Sequence, residues 1–174
     1  MFAVLSAVGA RLMIPFPFVP FTLQTLVCML AGFTLGARKG AASLLLYILM
    51  GLAGIPVFTS AAGPAAVFTP TFGYLWGFVC CAWICGALSE FMRARYGEPG
   101  FARYFAAALL GVAATYVVGV AYLYVILNFW VQQEGATFFK VLSIGFLSTA
   151  GGDVVKAAVA AAAAVKLQRA GIGK

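Results

Sequence analysis

Six apolar segments follow one another along this chain, set off by proline, glycine and clusters of charge, and a soluble domain has nowhere to bury them. A helix crosses a hydrocarbon core of about 30 Å with about 20 apolar residues, and about 17 can suffice. The segments are 1–14, stopped by Pro15-Phe16-Pro17; 21–36, closed by Arg38-Lys39-Gly40; 41–54, ending before Pro56; 72–89; 104–131; and 140–166, with a break expected at Gly151-Gly152. The first three hold only 14, 16 and 14 residues. They imply a compact bundle whose loops dip into the interface, or an N-terminus that begins earlier in the natural protein. Composition agrees. Of 174 residues, 64% are hydrophobic and 9% charged, against about 45–50% and about 25% in soluble domains. The expected fold class is all-α: one integral membrane domain, residues 1–174, built as a compact bundle of six transmembrane helices.

Charge placement gives the topology. Six spans put both ends on one side, so the Arg38-Lys39 loop, the 90–103 loop and the C-terminal tail share a face. These hold Arg38, Lys39, Arg93, Arg95, Arg103, Lys166, Arg169 and Lys174, whereas the other face holds only Lys140. Positive residues favour the cytoplasmic side, which predicts cytoplasmic termini. The net charge of +7 is then a matter of topology and calls for no nucleic acid. Arg11 and Lys156 are left over.

Absences narrow the function. With no histidine, His-based catalysis, His haem ligation and Cys/His zinc sites are excluded. No phosphate-binding loop is present, since Gly171-Ile172-Gly173-Lys174 lacks the spacing and the following helix, and no Gly-x-Ser-x-Gly occurs. Cys28, Cys80, Cys81 and Cys85 lie in apolar runs without a C-x-x-C pair and read as small buried hydrophobes. Of the four acidic residues three are expected in loops, which leaves little for a proton relay or a metal. No removable signal peptide is read at the start. The expectation is a non-enzyme without metal or cofactor.

Ionisable residues inside spans are costly and by default functional. Asp153 and Lys156 are three apart and share a helix face. Asp153 after Gly151-Gly152 reads as an N-cap, so the last helix would start there with both charges at the outer mouth. Such a pair offers acceptors and donors to a polar ligand, or else locks two helices together. Arg11, near the outer end of the first helix, either snorkels or anchors an anionic ligand. Thr22, Gln24 and Thr25 open the second helix at the same mouth. Phe18, Phe58, Phe68, Tyr74 and Trp76 are candidate walls of an apolar cavity, and Tyr116, Gly119 and Tyr122 share a face of the fifth helix. The uncharged loops 15–20 and 55–71 are expected to fold over the helix ends, as backbone at membrane depth does when it lines a cavity. Ala3-x-x-x-Ala7 and Ser6-x-x-x-Ala10 form a small-residue stripe suited to close helix approach.

As a set these stretches resemble the BioY family, the biotin-binding S components of energy-coupling factor (ECF) vitamin transporters. The resemblance is carried by Pro17-Phe18-Val19-Pro20-Phe21-Thr22-Leu23-Gln24-Thr25, by 35–41, by 47–58, by Thr69-Pro70-Thr71-Phe72-Gly73-Tyr74 and by Gly152-Asp153-x-x-Lys156. It implies high-affinity biotin capture at a prokaryotic plasma membrane. It also implies a transmembrane coupling subunit and two ATPase subunits as partners, with biotin as transported ligand. By the same resemblance the Asp153/Lys156 pair would hold the ureido end of biotin, Thr71 would join the binding residues, and Ala3 and Ala7 would dock the coupling subunit. Gly151 and Thr69 depart from the family pattern, which commonly has Pro and Gly there. The alternatives are an S component for riboflavin or thiamine, a membrane enzyme acting on lipid, and a channel or self-sufficient carrier.

Overall fold

The protein is described from a computed structural model covering residues 1–15, 19–131 and 137–171. A short helix α1 (Phe2–Arg11) leads into a two-residue strand β1 (Met13–Ile14), which pairs antiparallel with β2 (Phe21–Thr22), Met13 opposite Thr22. Then come α2 (Gln24–Leu52), a 3₁₀ turn (Pro64–Phe68), α3 (Phe72–Tyr96) and α4 (Phe101–Val125), which runs on into a π-helical turn (Ile126–Trp130). The last helical stretch consists of α5 (Phe138–Leu142), a second π turn (Ser143–Leu147) and α6 (Ser148–Arg169). By length and composition alone Gln24–Leu52, Phe72–Tyr96, Phe101–Trp130 and Phe138–Arg169 each suffice to cross a membrane, although the first of them folds back on itself. The small β ladder is the one departure from an all-α reading among the described residues.

α2 is two arms. Gly36 adopts φ +81°, ψ 177°, a conformation that costs glycine little and other residues much. The chain reverses there. The Gln24 side chain of the first arm reaches Tyr47 of the second, and a Cβ on Gly40 would lie 3.0 Å from the Ala31 carbonyl. The sequence reading put a loop at Arg38-Lys39-Gly40; instead the helix resumes at once, because the carboxylate of Glu90 on α3 accepts the Ala37 N–H at 3.0 Å and caps the second arm from outside. Glu90 is therefore helical and not a loop residue. α3 likewise outlasts its apolar stretch, 72–89, and carries Arg93 and Arg95 in its last turn. Basic residues at a helix C-terminus complement the macrodipole, and Gly97 at φ +73° ends the helix. The connection expected over 90–103 shrinks to 97–100.

Small residues set the packing. Gly32 on α2 lies against the Ala82 carbonyl and Cys85 of α3, and Gly86 of α3 against the Ala37 backbone, with no room for a Cβ at either. On α6, Ala157, Ala160, Ala161 and Ala164 are buried on one face, a helical spacing. Cys28, Cys81 and Cys85 are buried in the same core and unpaired. Outward, Leu49, Trp83, Leu110, Val117 and Val155 are more than half exposed, an apolar exterior that suits lipid.

Polar side chains gather at the end of the bundle where Gly36 turns. The buried Tyr104 hydroxyl accepts from Arg93 at 3.0 Å and donates to Gln168 at 2.7 Å. Arg38, Arg93, Arg103 and Arg169 thus share one end, away from the cavity described next.

Candidate functional site

Between α2, α3, α4 and α6 lies an open-mouthed cavity, roofed by the connection between α2 and α3. α6 supplies the charges. Asp153 and Lys156 are 5% and 6% exposed, and the Lys156 ammonium lies 2.5 Å from Asp153 Oδ1. Nζ also donates to the Thr22 carbonyl at 2.6 Å and sits 3.7 Å from the centre of the Phe21 ring. Tyr116 of α4 donates to Asp153 Oδ2, so its oxygen takes the Thr149 hydroxyl proton at 2.9 Å. Asp153 Oδ1 faces the ammonium without an aligned hydrogen bond, and keeps acceptor capacity for a ligand.

The expected N-cap at Asp153 is not there. Gly151 and Gly152 are helical within α6, and the irregular backbone lies earlier, in the π turn Ser143–Leu147. At Gly152 the Phe21 ring occupies the space a Cβ would need. The Tyr74 hydroxyl donates to the Gly145 carbonyl of that π turn at 2.9 Å. Its ring meets Tyr116 edge to face at 6.5 Å.

Among the sequence candidates, Gln24, Phe58, Thr71, Tyr74, Tyr116, Asp153 and Lys156 line the cavity together. Phe68 and Trp76 are about half exposed and do not line it. Phe18 lies outside the described residues. Arg11 does not line the cavity: its guanidinium donates to the Pro56 carbonyl at 2.5 Å, at the start of the roof. Ala3 points inward, 4% exposed and packed with Tyr47, Ile48 and Phe72, because the small-residue stripe lets α1 close on its own neighbours. The face α1 turns outward carries Val4, Leu5 and Val8; of the two stripe residues expected to dock a partner, Ala3 is buried inside the molecule and Ala7 is half-buried.

Sequence reasoning passed over Phe21, Tyr47 and Thr149. Thr149 was recoverable, since it lies one turn before Asp153 on the same face. The other two come from β2 and from the far arm of α2: Phe21 is placed by the β1–β2 pairing, and the chain reversal at Gly36 brings Tyr47 up to Gln24 behind the cavity wall. The roof is held by side chains from three helices. Besides Arg11, Tyr47 of α2 donates to the Val57 carbonyl at 3.0 Å, and Tyr122 of α4 donates to that of Val67.

Residues 1–172 match the model of the BioY family. A Lysinibacillus sphaericus protein named "Probable biotin transporter BioY" is 41% identical over 169 residues, 97% of this chain and 84% of that protein. The "Biotin transporter BioY" of Thermotoga maritima is 36% identical over 97% of this chain and 92% of its own length. The crystal structure of an S-component for biotin from an ECF-type ABC transporter superposes with a TM-score of 0.81 at 24% identity, over 97% of this chain and 87% of that one. That likeness bears on the fold.

Proposed function

This chain belongs to the BioY family, and on that footing we propose that it takes up biotin as the substrate-binding membrane subunit of an ECF-type transporter. It is a multi-pass membrane protein and not an enzyme. The observation that carries the reading is the buried Asp153–Lys156 pair set in the wall of an apolar, aromatic-lined cavity. Burying such a pair without further partners is costly, and a cyclic urea supplies them: its N–H donates to Asp153 and its carbonyl accepts from Lys156. Phe58, Tyr74 and Tyr116 wall the bicycle, Thr71 lies at the mouth, and Arg11 acts on the roof and not on the ligand.

Six spans follow when α1 and the two arms of α2 are counted with the three later helical stretches. The arms are short, about 18 and 24 Å at 1.5 Å per residue. With the basic end cytoplasmic, the cavity opens outward and both termini lie inside a prokaryotic plasma membrane. Energy comes from partners, a transmembrane coupling subunit and two ATPases, since the sequence has no phosphate loop. The docking surface for the coupling subunit is the outer side of α1, where Val4, Leu5 and Val8 are exposed and Ala7 is half-buried.

The test is mass spectrometry of small molecules released from the detergent-purified protein, followed by titration of stripped protein with biotin. Co-purified biotin, or a nanomolar Kd (about −12 kcal/mol), is expected. A clean extract with no binding would overturn the assignment.

A further inference from the structure

Tyr47 is buried, 1% exposed, and stands outside the cavity wall. Its hydroxyl joins two things that otherwise do not touch. It accepts from Gln24 Nε2 at 2.9 Å and donates to the Val57 carbonyl of the roof at 3.0 Å. A phenol has one proton. With that proton committed to Val57, its oxygen can only accept, and Gln24 must present its NH₂ group to Tyr47. The other end of the amide, Oε1, is thereby turned to Thr22, whose hydroxyl donates to it at 3.4 Å; a carbonyl oxygen has a second lone pair, and both residues line the cavity. Were the roof lifted, the Tyr47 proton would be free to donate to Gln24 Oε1 and the amide free to turn its donor to the cavity.

We infer that Tyr47 is a positioning residue that makes roof closure set the hydrogen-bond polarity of Gln24, an acceptor to the ligand when the roof is closed and a donor when it is open. This rests on the biotin reading above. Around the cavity Asp153 pairs with Lys156, Lys156 donates to the Thr22 carbonyl, and the Thr22 hydroxyl donates to Gln24 Oε1; toward a ligand Asp153, Lys156 and Gln24 Oε1 read acceptor, donor, acceptor. A cyclic urea presents the complement: N–H, carbonyl, N–H. Only the closed roof completes the match, so the second N–H of the ligand is recognised and retained through Val57, which lies on the far side of Tyr47. Phe58 holds this geometry, its ring edge to face on Tyr47 at 5.4 Å.

The probes are biotin and its two cyclic carbamate analogues, in each of which one ureido N–H is replaced by oxygen. Against wild-type protein, the analogue whose ring oxygen faces Gln24 meets acceptor with acceptor and binds about 100-fold more weakly than biotin. Tyr47→Phe keeps the ring but lets Gln24 turn its NH₂ inward; that penalty shrinks to about tenfold or less, and biotin dissociates faster. Gln24→Glu is an acceptor in either orientation and draws the Tyr47 proton from Val57, so the penalty stays while dissociation speeds up. A folded Tyr47→Phe protein with unchanged penalty and dissociation rate overturns the relay. So does a Gln24→Glu protein that loses the penalty or dissociates at the wild-type rate, whatever the fate of the Tyr47 variant. Wild-type protein that binds biotin but rejects neither carbamate overturns the relay alone; wild-type protein that binds no biotin overturns the biotin reading with it.

Discussion

The Lys156 ammonium lies 2.5 Å from the Asp153 carboxylate one helical turn before it, and both side chains are more than nine-tenths buried. Each charge is tolerable because of the other. Removing one leaves its partner uncompensated, at a cost of about 3–5 kcal/mol. Asp153→Asn and Lys156→Met are therefore each expected to abolish detectable biotin binding and to lower the melting temperature in detergent. The double variant should melt above either single one while still failing to bind. Unchanged affinity in both single variants would remove the pair from the site.

Arg11 holds the roof from the outside. Its bond to the Pro56 carbonyl is exposed and contributes about 1 kcal/mol at most. Arg11→Ala should raise the biotin dissociation rate by about fivefold and leave the melting temperature nearly unchanged. Stopped-flow displacement of a fluorescent biotin derivative reads the rate. A loss of affinity as severe as that of Asp153→Asn would instead put Arg11 on the ligand.

Gly86 tests the bundle away from the site. An added Cβ there would run into the Ala37 backbone, which has no flexible end to move aside. Gly86→Ala is expected to cost about 1–3 kcal/mol of stability, seen as a lower melting temperature with residual biotin affinity intact in the folded fraction. Gly151, whose Cβ would meet nothing within 4 Å, is the control: Gly151→Ala should fold as the wild type does.

Transport itself should require company. Vesicles containing this chain alone are expected to bind biotin without accumulating it, and uptake should appear only with ATP, a coupling subunit and its ATPases added. Accumulation by the chain alone would make it a self-sufficient carrier. Cysteines placed in the 97–100 connection, on a background without Cys28, Cys80, Cys81 and Cys85, should react only with thiol reagents that reach the cytoplasmic side.

Much of this was legible residue by residue. Apolar runs place most of the helices, because bilayer thickness and backbone hydrogen bonding allow little else; the breaks read at Arg38 and Glu90 fall inside helices, since the chain turns at Gly36 and α3 runs on to Tyr96. The site was half legible. Asp153 and Lys156 announce themselves by charge inside a span and by a spacing that puts them on one helix face. Aromatic and hydroxyl residues carry no such mark: Phe58 and Phe68 read alike in the sequence, yet one lines the cavity and the other is half exposed.

Tertiary structure decided what local rules leave degenerate. Gly36 and Gly152 are the same residue, but the first reverses the chain at positive φ and the second stays helical under the Phe21 ring. Ala3 and Ala7 permit close packing without saying against what, and the molecule uses Ala3 for itself. Tyr47 joins Gln24 to Val57 only because the reversal at Gly36 folds the second arm of α2 back along the first. Hydrophobicity and helical period are properties of neighbours in the chain, so sequence alone determines the apolar stretches and the Asp153–Lys156 face. Which small residue meets which, and which phenol reaches which carbonyl, depends on contacts between distant segments, and those exist only once the bundle has closed.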